Sequence, residues 1–301
     1  LILRGMLKLI MPIFLGVLLI VLAGCSAVNG KDKVVVVGKD FTEQDIMANL
    51  VGILLEKNTN LNVEIKPFLG GTDVCFNAVK NGSADLYVEY TGTGLVNILG
   101  MEATSDPDHA YAVVKEEFAK KYKLEWLQPI GFNNTYAIAV REETADQFHL
   151  TKVSDLQNHA DQLVLGTNQE FLERPDGLKG LEQTYGFKFR DVKAMNVGLK
   201  YSAISERKVD VIDAYSTDGQ LIKHNLVLLE DDKQFFPPYY AAPLVRQDTL
   251  EKYPEIKEVL DKLAGRIDDH EMAVLNAQVD VDKKKAKDVA EQWLREEGLI
   301  Q

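Results

Sequence analysis

Glu89-Tyr90-Thr91-Gly92-Thr93-Gly94 joins an aromatic ring to a turn of hydroxyls and unobstructed backbone N–H groups. Leu86, Val88 and Tyr90 alternate with Tyr87 and Glu89, which predicts a short strand. Thr91 to Gly94 break that strand, and Leu95 to Leu99 read as the next helix. A strand ending in such a turn at a helix start can hold an anion. Tyr90 then stands at the carboxyl end of a strand, where α/β sheets place ligands. Val209-Asp210-Val211-Ile212-Asp213-Ala214-Tyr215-Ser216 echoes this unit: a helix, a polar turn, then a strand delivering a Tyr followed by hydroxyl residues. In Phe235-Phe236-Pro237-Pro238-Tyr239-Tyr240 the two prolines fix φ and can hold Tyr239 firmly. The chemistry these types suit is capture of a ligand that offers something to aromatic faces and something anionic to a turn.

Catalytic groupings are weaker. Asp85, Glu89, Asp213 and Asp218 could be paired acids, but helix-cap and loop roles account for them. The five histidines, His109, His149, His159, His224 and His270, show no metal-ligand spacing. Neither a nucleophile elbow nor a P-loop occurs. The expectation is a binder that is not an enzyme, with no metal and no cofactor.

Residues 1–24 read as a targeting segment outside the fold. Arg4 and Lys8 form a basic start, and Leu9 to Leu22 is an apolar run interrupted by Pro12. Small residues then precede Cys25 in Leu22-Ala23-Gly24-Cys25, which resembles the bacterial lipoprotein box. The resemblance implies cleavage before Cys25 and lipid on its sulfur. An ordinary signal peptide with an incidental Cys, or an uncleaved anchor, are the competing readings. The remaining ~275 residues exceed what one small core needs, so two domains are expected. The formal charge is −12, and more negative still once Arg4 and Lys8 are removed. Such an acidic chain without a basic cluster argues against nucleic acid. Cys75, among Val74, Phe76, Ala78 and Val79, reads as a buried helix residue.

The elements that must position these residues alternate. Residues 26–32 form a polar tether, and Lys33 to Val37 is a β-branched run of the buried parallel type. Thr42 reads as the cap of a helix from Glu43 to Lys57. Asn62 to Lys66 predicts a strand, and Gly70-Gly71-Thr72 opens a helix through Lys80. Helix 107–121, strand 124–127 and a strand ending at Val140 follow. The second half repeats the theme: strand 163–166, a loop with Glu170, Arg174 and Asp176, helix 178–185, strand 191–195 and helix 200–206. Residues 250–294 read as helical, with Asp248 and Asp268 as caps and 280–287 as a solvated helix face. This alternation predicts α/β layers with a largely parallel sheet.

Five phrases in series resemble one family: Gly38-Lys39-Asp40-Phe41-Thr42-Glu43-Gln44, Glu89-Tyr90-Thr91-Gly92-Thr93, Asn133-Asn134-Thr135-Tyr136, Asp213-Ala214-Tyr215-Ser216-Thr217-Asp218 and Phe235-Phe236-Pro237-Pro238-Tyr239. It is the glycine betaine/carnitine/choline-binding proteins of bacterial osmoprotectant ABC importers. The resemblance implies an α/β, two-lobed type II periplasmic binding protein fold with a ligand cleft between the lobes. It implies lobe 1 over 33–133, lobe 2 over 134–239, and a return of 240–301 to lobe 1. Carried over by motif, Tyr90, Tyr136, Tyr215 and Tyr239 form an aromatic box for a quaternary ammonium, with Tyr240 competing for the fourth wall. Lys39, Thr93 and Arg174 are implied to hold a carboxylate, and Asn134 to add a backbone carbonyl contact to the cation. The physics agrees, because a trimethylammonium cannot donate a strong hydrogen bond and is recognised by ring faces. The implied partners are a trimethylammonium solute, a membrane permease with its ATPase, and the membrane itself through Cys25, on the outer face of the cytoplasmic membrane; a monomer is expected. Ergothioneine, which also carries a trimethylammonium and a carboxylate, is an alternative ligand, and a non-transport sensor an alternative role.

Overall fold

A computed structural model describes residues 33–301. The targeting segment 1–24, the tether and Cys25 lie outside the described residues. Two five-stranded mixed sheets organise the chain. The first contains β1 (Lys33–Lys39), β2 (Asn62–Gly70), β3 (Leu86–Tyr90), β4 (Leu124–Trp126) and β10 (Ala241–Arg246), in the order β2-β1-β3-β10-β4. The second contains β5 (Tyr136–Arg141), β6 (Val164–Thr167), β7 (Asp191–Ala194), β8 (Val211–Tyr215) and β9 (Leu226–Leu229), in the order β7-β6-β8-β5-β9. In the first sheet β1 and β3 run parallel and β10 is antiparallel to both β3 and β4; in the second β7, β6 and β8 run parallel and β5 is antiparallel to both β8 and β9.

Alternation along the strands decides which face each side chain takes. In β1, Val34 and Val36 join the core shared with helix Thr42–Asn58, whereas Val35 and Val37 face the opposite side with Cys75, Phe76 and Phe118. Leu86, Val88 and Tyr90 of β3 point into that first core, while Tyr87 points away. Helix Thr42–Asn58 is buried along most of its length, because it packs against β2 and the helices Glu255–Leu260, Asp269–Asp280 and Ala286–Glu296.

The chain passes between the sheets twice, and the two passages are bonded side by side. Asn133 bridges Tyr240, the Asn134 N–H donates to the Tyr239 carbonyl (3.1 Å), and the Tyr239 N–H donates to Asn133 Oδ1 (2.7 Å).

Several local expectations are corrected. Phe41, not Thr42, is the cap residue of its helix, and the Thr42 hydroxyl donates to Asp280 (2.6 Å). The turn after Tyr90 is already helical and runs into a wide helix at Thr93–Ile98. The tail is not one helix: Pro254 and Gly265 (φ +65°) interrupt it, leaving helices 247–252, 255–260, 269–280 and 286–296. Asp268 does cap, accepting from the Glu271 N–H (2.8 Å), but Asp248 lies inside its helix and pairs with Arg246. Residues 281–285 are a turn between helices and not a helix face. Asp85 and Asp218 lie in loops, as expected, whereas Glu89 and Asp213 sit inside strands. Each accepts tertiary hydrogen bonds: Asp85 from the Val35 N–H and the Thr249 hydroxyl, Glu89 from Lys39, Asp213 from Lys200, and Asp218 from the Tyr201 hydroxyl.

Candidate ligand-binding site

The carboxyl ends of the strands bring the box together. Tyr90 ends β3, Tyr215 ends β8, and Tyr136 begins β5 directly across from Tyr215 in the antiparallel register. Tyr239 arrives on the second passage, behind Pro237-Pro238. All four rings are buried. Tyr136 lies 5.0 Å from Tyr215, tilted by 39°, and 5.5 Å from Tyr239, nearly perpendicular at 84°. Gly92 makes the last wall possible: a Cβ there would stand 2.7 Å from the Tyr239 ring and 2.9 Å from the Pro238 carbonyl.

One cavity of about 20 Å³ is lined by Tyr90, Tyr136, Tyr215, Tyr239, Lys39, Thr93, Asn134 and Arg174, together with Phe41 and Glu170. All eight residues singled out from the sequence therefore meet in one place. Tyr239 lines the cavity, whereas Tyr240 does not and uses its N–H on Thr91 Oγ1 (3.1 Å).

The charged groups are held in fixed poses. Lys39 Nζ donates to Glu89 Oε1 (2.6 Å) and Thr72 Oγ1 (2.9 Å), which leaves one of its three N–H donors over. Glu89 is pinned in turn by the Tyr87 hydroxyl (2.8 Å) and the Tyr90 N–H (2.8 Å). Arg174 grips Asp176 through Nε (2.8 Å) and Nη2 (2.6 Å) and reaches Thr93 Oγ1 through Nη1 (3.2 Å). Two of its five N–H groups have no partner among the described residues. Its guanidinium lies 5.5 Å from the centre of the Tyr136 ring and 5.9 Å from that of Tyr239. Burial alone would weaken that charge, but the acidic groups around it, Tyr136 and Asp176 foremost, hold its pKa above the usual range.

Four residues that the sequence reading did not place in the site support it. Asp176 fixes Arg174 and also accepts from the Tyr239 hydroxyl (2.5 Å). Its place two residues after Arg174 was the signal. Glu43, fully buried, accepts from the Tyr90 hydroxyl (2.7 Å), Asn134 Nδ2 (2.7 Å), the Thr217 hydroxyl (2.6 Å) and Asn276 Nδ2 (3.0 Å). Burial pushes its carboxyl pKa up, and those four bonds offset part of the rise. Glu170 accepts from the Thr72 N–H (2.5 Å). Burial would raise its pKa too, yet Lys39, that N–H and Arg174 bring it below the ordinary value. Phe41 contributes a further ring. Asn134 lines the cavity, and the Oδ1 of its side chain has no hydrogen-bond partner among the described residues.

The arrangement can hold a cation without N–H donors against ring faces while Lys39, Arg174 and the Thr93 hydroxyl hold an anion. Residues 32–296 match a family model described as the substrate binding domain of ABC-type glycine betaine transport systems. The chain is 38% identical over 275 residues to the carnitine transport binding protein OpuCC of Listeria monocytogenes, covering 91% of this chain and 89% of that protein. It is also 38% identical over 268 residues to the ergothioneine transport permease/ergothioneine binding protein EgtU of Helicobacter pylori, covering 88% of this chain and 48% of that longer protein. A crystal structure described as a glycine betaine/carnitine/choline ABC transporter superposes with a TM-score of 0.73 at 36% identity, over 89% of this chain and all of the other. With sheets, box and sequence in agreement, this chain belongs to the family of substrate-binding domains of ABC-type glycine betaine transport systems.

Proposed function

We propose that this protein captures quaternary ammonium solutes bearing a carboxylate, such as glycine betaine and carnitine, and also choline, and delivers them to a membrane permease and its ATPase. One observation carries the reading. Four tyrosines, Lys39, Thr93, Arg174 and Asn134, from widely separated parts of the chain, line one cavity. Ring faces supply ~0.5–2 kcal/mol each to a desolvated cation, so four supply roughly 2–8 kcal/mol, and the grip on the carboxylate supplies the rest of what micromolar binding, about −8 kcal/mol, requires after ordering costs. Residues 33–133 and 240–301 form one lobe and 134–239 the other, joined at the paired passages. A cavity of about 20 Å³ holds roughly one water. A trimethylammonium head enters when the walls part at those passages and is then enclosed. The role is binding without turnover. Lipid on Cys25 tethers the monomer to the outer face of the membrane; Cys25→Ser releases it into the soluble fraction with ligand affinity unchanged.

Calorimetry of residues 26–301 against glycine betaine, carnitine, choline and ergothioneine tests the ligand class. A neutral analogue with tert-butyl in place of trimethylammonium tests the recognition. If it binds as tightly as the cation, the box is only a hydrophobic pocket and the reading fails. Ergothioneine is the second reading. It is favoured by the similarity to the ergothioneine-binding relative and by a larger cavity, about 690 Å³, just outside the box.

A further inference from the structure

Three cavities meet at one side chain. The box is bordered by Phe41, and so is the outer cavity of about 690 Å³ that contains Asn168, Gln169, Asn196 and Met195. Phe41 also borders a third cavity of about 140 Å³, beside Asp218, Asn276 and Asp280. Its ring lies 6.4 Å from Tyr90 at 27° and 5.6 Å from Tyr215 at 21°. Three nearly parallel rings thus run from the central strand of the first sheet to the central strand of the second. We propose that Phe41 is the movable fifth wall of the box and the residue that sets how large a trimethylammonium solute the protein accepts. This inference rests on the quaternary-ammonium reading above.

The difference between Phe41 and the other rings is how each is held. The Tyr90 hydroxyl is tied to Glu43 and the Tyr239 hydroxyl to Asp176. Phe41 has no hydroxyl and is half-buried. Its backbone, however, is fixed: extended at φ −146° and ψ 162°, it caps helix Thr42–Asn58, and its carbonyl accepts from the Asp45 N–H (3.2 Å). A ring on an anchored backbone, with no polar tie at its tip, swings about its side-chain torsions at low cost. The ring closes the box against the outer cavity, so a small head is enclosed on all sides only while the ring is down. A solute with a bulky group beyond the trimethylammonium must displace it into the outer space, where that group meets neutral amides. Removing the ring joins the box to the outer cavity. That costs a small solute a wall and costs a large one little, because its own bulk refills the gap.

The test is calorimetry of glycine betaine and ergothioneine on the full chain and on Phe41→Ala, Phe41→Leu and Phe41→Tyr. Phe41→Ala is expected to weaken glycine betaine about tenfold, the loss of one ring face, and ergothioneine less than about threefold. Phe41→Leu shifts the ratio the same way, and decides the matter if the Ala variant does not fold. Phe41→Tyr keeps the wild-type ratio. Equal losses for both solutes, or none for either, overturn the proposal while leaving the box intact. A wild-type protein that binds neither solute overturns the quaternary-ammonium reading itself, and the unmutated titration alone reveals that case.

Discussion

The two sheets are built to one plan and used differently. The strand order β2-β1-β3-β10-β4 maps onto β7-β6-β8-β5-β9, and both central strands are fully buried and end on a box tyrosine. Each half buries a lysine against a carboxylate of its central strand: Lys39 on Glu89 and Lys200 on Asp213, both at 2.6 Å. Each lysine also stands near the face of its tyrosine, 5.2 Å from the Tyr90 ring and 5.5 Å from the Tyr215 ring. The pairs differ in their surroundings. Both Glu89 oxygens are bonded by other groups besides Lys39, and Lys39 lines the cavity with a donor to spare. Asp213 takes Lys200 on Oδ2, while its Oδ1 has no partner among the described residues; Lys200 is fully buried, gives a second N–H to the Asp213 carbonyl (2.8 Å), and lines neither the box nor the two cavities beside it. On the proposed function the same pair serves as a ligand handle in one half and as scaffolding under a ring in the other.

Removing the scaffolding lysine gives the largest expected effect. Lys200→Met leaves Asp213 buried and uncompensated, a loss of about 3–5 kcal/mol, a large share of the roughly 5–15 kcal/mol that holds a domain folded. Urea unfolding should show a steep drop in midpoint, with affinity in the folded fraction little changed. A wild-type midpoint would mean that the two lysines are equivalent and neither is scaffolding.

Lys39→Met reverses the profile. Glu89 keeps the Tyr87 hydroxyl and the Tyr90 N–H, so stability falls less than for Lys200→Met. The ligand loses one charge-assisted hydrogen bond, about 1.5–3 kcal/mol, or at least tenfold in affinity for glycine betaine. Choline, which lacks the carboxylate, should change less than about threefold, and Arg174→Met should discriminate in the same sense. Equal losses for both ligands, measured by calorimetry, would remove Lys39 and Arg174 from contact with the carboxylate.

The rings come next. Tyr→Ala at Tyr90, Tyr136, Tyr215 or Tyr239 should cost about 1–2 kcal/mol of affinity per ring. Tyr→Phe separates them further. It should be mild at Tyr136, whose face is what matters. At Tyr90 and Tyr239 it takes a donor from Glu43 or Asp176 and should cost about 1 kcal/mol more. Uniformly mild Phe variants would show that these hydroxyl ties do not orient the rings.

Three of the four rings leave local signatures in the sequence: the alternation through Leu86–Tyr90, the repeat through Val211–Tyr215, and Pro237-Pro238 before Tyr239; Tyr136, and the grouping of the four as a box, came from the family resemblance. The alternation of strands and helices was legible for the same reason. Apart from Asp176, two residues from Arg174, what supports the box was not legible, since it depends on contacts across long stretches of chain. Glu43 gathers bonds from Tyr90, Asn134, Thr217 and Asn276, the last 233 residues away, and no local pattern marks such a hub. Two caps failed where another side-chain bond outcompeted them, one across the fold and one to a near neighbour. Thr42 turned to Asp280 and Asp248 to Arg246, leaving the helix starts to other residues. The apolar spacing of Ile256, Val259, Leu260 and Leu263 predicts helix but does not mark the breaks at Pro254 and Gly265 on either side of it.

The smallest expected effect concerns the position three residues after each central tyrosine: Thr93 in the first half and Asp218 in the second. Thr93 faces the box with a neutral hydroxyl, whereas Asp218 lies in the neighbouring cavity, accepting from the Tyr201 hydroxyl and from the Tyr215 N–H (2.9 Å). Burial pushes the Asp218 carboxyl up to about 6, against the pull of Lys200 and with the help of Glu43. In the unfolded chain it titrates near 3.9. The folded state therefore keeps a proton that the unfolded state has released, so stability is greatest at low pH and is lost as the pH rises through about 6. From pH 5.5 to 7.5 that loss is roughly 1 kcal/mol, or about 2–4 °C in the thermal midpoint of a chain this size. Glu43, raised by burial, acts in the same direction. His224, whose pKa is lowered by burial and Lys223, acts against both as it titrates in the unfolded chain. Asp218→Asn isolates the effect. The difference in midpoint between variant and wild type should change by those few degrees across the two pH values, while Thr93→Val, the matching position in the first half, leaves the pH slope alone. If Asp218→Asn parallels the wild type throughout, the carboxylate beneath Tyr215 is no more strained than the hydroxyl beside Tyr90, and the contrast between the halves rests on the lysines alone.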